Sequence, residues 1–84
     1  MDDSFDYFTT EYSQALQAYQ AIEAQSATLL LMGHAEELRG FVVQFIEMAA
    51  RVRDLAREHN EPNFAEWFDE LVQKATRLKD GVPQ

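Results

Sequence analysis

The clearest pattern in the sequence is a heptad repeat of apolar residues between residues 38 and 59. Large apolar side chains recur there at alternating steps of three and four: Leu38, Phe41, Phe45, Met48, Val52 and Leu55. This spacing places them along one face of an α-helix. Smaller apolar residues widen that face on one side: Val42, Ile46, Ala49 and Ala56. We predict a central helix over residues 35–59 whose wide face packs against two neighbours.

The first third of the chain repeats the same period. Its apolar positions, broken only at Ser26, are Phe5, Phe8, Tyr12, Ala15, Tyr19, Ile22 and Leu29. We predict a helix over residues 4–31, about 40 Å long at 1.5 Å per residue. Gly33 suits the left-handed conformation that ends many helices. A helix that continues through Gly33 with a kink is the alternative, because no good N-cap precedes Glu36.

A third helix is predicted over residues 63–80. Asn63 and Glu66 have the spacing of an N-terminal capping box, and Gly81 follows the last turn. Its apolar face contains Phe64, Trp67, Phe68, Leu71, Val72, Ala75 and Leu78. Because Trp67 and Phe68 are adjacent, both cannot point into one core, and one of them should lie near an edge.

Three helices with short connections predict an all-α fold, a three-helix up-down-up antiparallel bundle that forms one domain over residues 1–84. The third helix is shorter than the others, so the end formed by residues 22–38 should have less cover. That end contains Leu29, Leu30, Leu31 and Met32. Because such a set is unfavourable in water, we expect oligomerisation or a partner to complete the bundle.

Composition narrows the class of protein. The chain has 84 residues and no cysteine, which excludes disulfides and limits the core to one small domain. A hydrophobic content of 46% is too high for a disordered tail. The longest apolar run, residues 29–32, is too short to span a bilayer, and no basic signal-peptide start is present. A cytoplasmic protein is the expectation.

Charge is distributed unevenly along the chain. Residues 1–38 carry seven acidic residues and no Lys or Arg, whereas residues 39–84 carry eight acidic and seven basic residues, and the net charge is −8. Direct binding to nucleic acid or to a membrane is therefore not expected. The acidic block could instead imitate nucleic-acid phosphates and inhibit a DNA- or RNA-handling protein. The residues that would do so are Asp2, Asp3, Asp6, Glu11 and Glu23.

No motif for catalysis or cofactor binding is evident. The sequence has no glycine-rich phosphate loop, no nucleophile in a recognisable setting and no pair of histidines at zinc-protease spacing. His34 and Glu37 are spaced three apart, but helix-end polar residues explain them better than metal ligation. We therefore predict no enzyme activity, no cofactor and no metal site.

The outer side of the first helix carries uncharged small and amide residues where Glu and Lys would be usual. One explanation of these residues is that they only favour helix formation, and the other is that they form a second contact face. We favour a non-enzymatic protein–protein interaction module, an acidic adaptor, chaperone-like partner or regulator that binds itself as a homodimer, another protein, or both. The predicted partner-binding residues are Gln14, Ala18, Ala21, Gln25, Leu29, Leu30, Met32 and Trp67.

Overall fold

The computed structural model describes residues 3–82, with side chains for residues 5–82. It contains three α-helices, α1 (Asp3–Leu31), α2 (Ala35–Glu58) and α3 (Pro62–Asp80), and no strand within this described part. Phe8 near the start of α1 contacts His59 at the end of α2, with ring centroids 6.0 Å apart. The helices therefore alternate in direction. The predicted all-α fold is confirmed, and each predicted helix boundary lies within one residue of the observed one.

Both turns are built around a residue with positive φ. Gly33 has φ of 80°, and the following His34 N–H donates to the Leu29 carbonyl at 2.8 Å. Asn60 has φ of 57°, and Glu61 N–H donates to the Ala56 carbonyl at 2.8 Å. This pattern of hydrogen bonds ends a helix and reverses the chain. Gly33 therefore separates α1 from α2, and the kinked alternative is wrong.

The ends of α3 differ from prediction. Pro62 is the first helical residue, and Glu61 before it makes no side-chain capping hydrogen bond. Asn63 lies inside the first turn, so the predicted capping box does not form, because the fixed φ of proline already suits that position. At the other end Gly81 keeps a right-handed φ of −80°. Val82 is nevertheless buried, and its carbonyl accepts a hydrogen bond from Arg39 Nη2 at 3.2 Å.

The buried face of α2 is rotated relative to the predicted line of large residues. Its fully buried positions follow a parallel heptad line: Leu38, Val42, Phe45, Ala49, Val52 and Ala56. Placing Phe41 in the core is therefore wrong, since its side chain is 48% exposed, while Met48 and Leu55 are partly buried. Small residues at Ala49 and Ala56 allow neighbouring helices to approach this line closely, which favours the observed rotation.

α3 covers more of α2 than its length suggested. Because the chain after α3 reaches Arg39, Leu38 at the start of α2 is fully buried, and the expectation of thin cover there is wrong. Leu29 is also partly buried and packs against the core. The open part of this end is smaller, comprising Leu30, Leu31 and Met32, which are 38%, 89% and 63% exposed. We call these three residues the leucine end.

Candidate functional site

A groove runs between α1 and α2 on the side that α3 does not cover. Its main hollow has a volume of about 450 Å³ and is lined by four residues from each helix: Ala18, Ala21, Ile22, Gln25, Phe41, Gln44, Phe45 and Met48. A second hollow of about 220 Å³ shares Met48 and continues along Tyr7, Arg51, Val52 and Leu55. We call the two hollows together the α1–α2 groove.

The groove exists because its two walls differ in side-chain size. Ala18 and Ala21 leave the α1 wall low, whereas Phe41 and Met48 project from α2. Phe41 is 48% exposed and Tyr7 is 46% exposed, although aromatic side chains lose favourable burial in water. Exposed aromatics beside a concave apolar surface are typical of protein contact sites.

Most of the predicted partner-binding residues lie on one stripe of α1. Ala18, Ala21 and Gln25 line the groove. Gln14 precedes Ala21 by seven residues and Met32 follows Gln25 by seven, so helical periodicity places both on the same stripe. Leu29 lies closer to the core, where it is partly buried.

Trp67 belongs to a different surface, between α1 and α3. Its ring centroid lies 5.3 Å from that of Tyr12 and 5.2 Å from that of Phe64, which in turn lies 5.6 Å from Phe5. Trp67 is 43% exposed while Phe68 is fully buried, which confirms that one of the adjacent aromatics lies at an edge. We call Phe5, Tyr12, Phe64 and Trp67 the aromatic patch. The eight predicted residues therefore do not form one site.

Nine of the twelve residues that line the two hollows were not among the predicted partner-binding residues: Tyr7, Ile22, Phe41, Gln44, Phe45, Met48, Arg51, Val52 and Leu55. One signal was present. The apolar stripe of α2 contains two heptad lines, one starting at Leu38 and Val42 and the other at Phe41. A helix that buries the line containing Ala49 and Ala56 must turn the Phe41 line toward its edge.

The two edges of the groove differ in charge. The α1 sequence from Tyr12 to Ile22 contains no charged residue. On α2, Glu37 precedes Gln44 by seven residues, and Glu47 and Glu58 lie four before and seven after Arg51, so helical periodicity places these exposed acids beside the groove. Arg51 is the one basic residue lining the groove within the described residues. The main hollow thus has a neutral edge on α1 and an acidic edge on α2. Nearer the smaller hollow Glu11 precedes Ala18 by seven residues, so helical periodicity places one acid on the α1 stripe there.

The acids of the first segment do not share a face. At about 100° per residue, Asp6, Glu11 and Glu23 point to three different sides of α1. Asp2 and the side chain of Asp3 lie outside the described residues. These positions give no dense acidic array on α1.

Arg53 and Tyr19 each make polar contacts that shift a pKa, and one contact of Arg53 also joins α2 to α3. Arg53 on α2 donates from Nη1 to Asp69 Oδ1 on α3 at 3.0 Å. Burial opposes the charged guanidinium, but hydrogen bonds to Asp69 and Asp54 outweigh it and raise the pKa of Arg53. Burial raises the pKa of the Tyr19 phenol, and a hydrogen bond to the Glu23 carboxylate raises it further.

The pair at the first turn has little capacity to hold a metal. His34 Nδ1 lies 3.7 Å from Glu37 Oε1, and no third His, Asp or Glu joins them within residues 3–82. None of the helices described is long and apolar enough to cross a membrane.

No protein-family model, curated protein or solved structure matches the chain.

Proposed function

We propose that this protein is a non-enzymatic protein–protein interaction module, an acidic helical adaptor, chaperone-like partner or regulator. The observation that carries the proposal is the α1–α2 groove, an apolar hollow of about 450 Å³ with Phe41 half exposed at its side. Concave apolar surfaces between helices are where amphipathic helices of other proteins dock. The groove lies on the stripe of α1 that contains Gln14, Ala18, Ala21 and Gln25.

Self-association is the second part of the proposal. The leucine end presents Leu31 with 89% and Met32 with 63% of the side chain exposed. Exposed leucine and methionine side chains gain about 25 cal/mol for each Å² of apolar surface that a partner removes from water. A homodimer that buries the two leucine ends against each other removes these residues from solvent in both copies.

The test combines size-exclusion chromatography with light scattering at micromolar concentrations. The wild-type protein should elute as a dimer. Leu31→Glu with Met32→Glu should return it to a monomer, because the charged side chains would be desolvated in the interface. A wild-type monomer at 100 µM would exclude the homodimer.

A second pair of variants tests the groove in the same experiment. Ala18→Glu with Ala21→Glu should abolish any complex made through the groove. The matched control is Ala24→Glu with Ala27→Glu, two exposed alanines on the outer side of the same helix that line neither hollow. Both pairs change the charge by −2 and have the same helix propensity. Because the proposed homodimer forms through the leucine end, both pairs should leave the dimer intact, and loss of the dimer with Ala18→Glu and Ala21→Glu alone would place self-association in the groove instead.

A further inference from the structure

The charges beside the α1–α2 groove indicate which partner it suits. Glu37, Glu47 and Glu58 are exposed on the outward side of α2, spaced about 15 Å apart along the helix axis. The facing edge on α1 is uncharged and small at Ala18 and Ala21. A partner in the groove therefore meets apolar surface beneath it, small residues on one side and carboxylates on the other.

We propose that the α1–α2 groove binds one amphipathic helix of a different protein, which carries Lys or Arg along the flank facing α2. Its apolar face packs on Phe41, Met48 and Ala18. The lining extends from Tyr7 to Gln25 on α1, a distance of about 27 Å at 1.5 Å per residue, which fits a partner helix of about 18 residues. This inference rests on the proposed function and specifies its partner.

A second copy of the chain is less suitable as the occupant. The apolar faces of α2 and α3 are packed in the core of their own bundle, and α1 is only weakly amphipathic, so no helix of a second copy offers a continuous free apolar face to the groove. In one two-fold arrangement two grooves placed face to face bring the same acidic edges together, and in the other the acidic edge meets the small α1 residues, so neither arrangement offers a basic flank. Each copy also carries a net charge of −8. Like charges across an interface oppose association, whereas a cationic flank is attracted and held in one orientation.

Arg51 is the exception on this side of α2. It lines the smaller hollow beside Tyr7 and Leu55. A carboxylate or a polar residue on the partner is expected at that level of the helix. Thus the partner flank should be basic beside Glu37 and Glu47 and neutral or acidic beside Arg51.

The experiment is selection from a displayed library of 18-residue helices against the full-length protein. Leucine is fixed along one face, and the two flanking positions of each turn vary among Lys, Glu, Gln and Ala. Enrichment of Lys on one flank only is the expected result. Enrichment of Glu, or no preference between Lys and Glu, would overturn the charge inference while leaving a groove that binds helices.

Titration of the best selected peptide, labelled for fluorescence polarisation, then locates its site. Glu37→Gln with Glu47→Gln should weaken binding about three- to tenfold, since exposed ion pairs contribute modestly. The control Glu66→Gln with Glu70→Gln changes the same charge at exposed positions of α3 and should change affinity less than about twofold. Added NaCl should weaken binding of the Lys peptide.

Uncharged substitutions in the α1 wall test the shape of the groove independently of the charges beside it. Ala18→Gln with Ala21→Gln fills the low wall without adding charge and should weaken peptide binding at least tenfold, whereas Ala24→Gln with Ala27→Gln should not. Equal binding by both pairs would overturn the site. Failure to recover any binder would overturn the site as well. A wild-type dimer in light scattering that is lost with Ala18→Gln and Ala21→Gln but kept with Ala24→Gln and Ala27→Gln would identify a second copy as the occupant and overturn the inference.

Discussion

The α2–α3 pair and α1 contribute differently to the molecule. α2 and α3 pack most extensively against each other, and together they supply nearly all of the fully buried apolar residues described. α1 has 29 residues but supplies only Phe8 and Ala15 to that group. Stability therefore depends chiefly on the α2–α3 interface, and α1 leaves more of its surface uncovered by the other helices.

Sequence chemistry explains the difference. On α2 and α3 polar residues are confined to the side opposite a continuous apolar face, whereas α1 is only weakly amphipathic and has Ala, Gln and Thr over much of its surface. Such residues form helix readily but bury little apolar area. A helix with such small side chains leaves space between itself and its neighbour, and on the side of α2 that space is the α1–α2 groove.

The largest expected effect is on the free energy of unfolding, which should fall far more for a core substitution than for a groove substitution. Phe68→Ala should cost about 3–5 kcal/mol, because its side chain is fully buried on α3. Phe41→Ala should cost about 1 kcal/mol or less, because half of the side chain is already in water. Urea unfolding followed by circular dichroism measures both. If Phe68→Ala does not fold, Phe68→Leu should still show a lower midpoint than Phe41→Ala. Equal losses would contradict the division between core and groove.

Two glycines should respond to alanine with opposite signs. A methyl group added at Gly33 or at Gly40 would meet no neighbouring atom within 4 Å, so only backbone conformation distinguishes the two positions. Gly33→Ala should destabilise by about 1 kcal/mol, because φ at this turn is positive. Gly40→Ala should stabilise by about 0.5–1 kcal/mol, because Gly40 lies inside α2. Thermal unfolding midpoints give the comparison, and a shift in the same direction for both variants would refute it.

A smaller effect concerns the ion pair between α2 and α3. Asp69→Asn should cost about 1 kcal/mol, since Asp69 accepts hydrogen bonds from Arg53 at 3.0 Å and from Gln73 at 2.7 Å. Arg57→Gln should cost less than about 0.5 kcal/mol, because Arg57 and Asp54 are both more than half exposed. The urea concentrations at the unfolding midpoints, measured at low and high salt, test the contribution of the Arg53–Asp69 pair. A larger loss for Arg57→Gln would mean that exposure does not govern these contacts.

The smallest expected effect is on the pH dependence of stability. Because the pKa of Tyr19 is raised in the folded state, its contribution is complete below the ordinary tyrosine pKa of 10.0 and is lost as pH rises through the folded value. Wild-type protein should therefore lose more stability between about pH 9 and pH 11 than Tyr19→Phe. Parallel curves for the two proteins would show that burial of this phenol does not contribute.

The sequence predicted the three helices better than the rotation of each helix about its own axis. Heptad spacing predicted the three helices and Gly33 favoured the first turn, because periodicity and positive φ are local properties. The rotation of α2 is a tertiary property. Phe41 and Val42 both fit the apolar stripe, and only packing against α1 and α3 selects Val42 for the core. The heptad line correctly placed Leu38 on the packed face, whereas the length of α3 wrongly suggested thin cover beside it.

The candidate site was predicted in part. The lack of charge on α1 indicated Ala18, Ala21 and Gln25, which line the groove. The opposite wall was missed, because Phe41 and Met48 were assigned to the core. One of the adjacent Trp67 and Phe68 was correctly expected at an edge, and Trp67 is that residue. Its contacts with Tyr12 and Phe64 place it on the aromatic patch, between α1 and α3.

Amide chemical-shift mapping of ¹⁵N-labelled protein with the selected basic helix tests the central claim most directly. If the α1–α2 groove is the binding surface, the largest shifts should fall within residues 7–25 and 37–55, and the indole N–H of Trp67 should not move. Because Trp67 is the single tryptophan, that signal reports on the aromatic patch without ambiguity. Shifts centred on Trp67 and Phe5, with residues 18–25 unchanged, would contradict the claim.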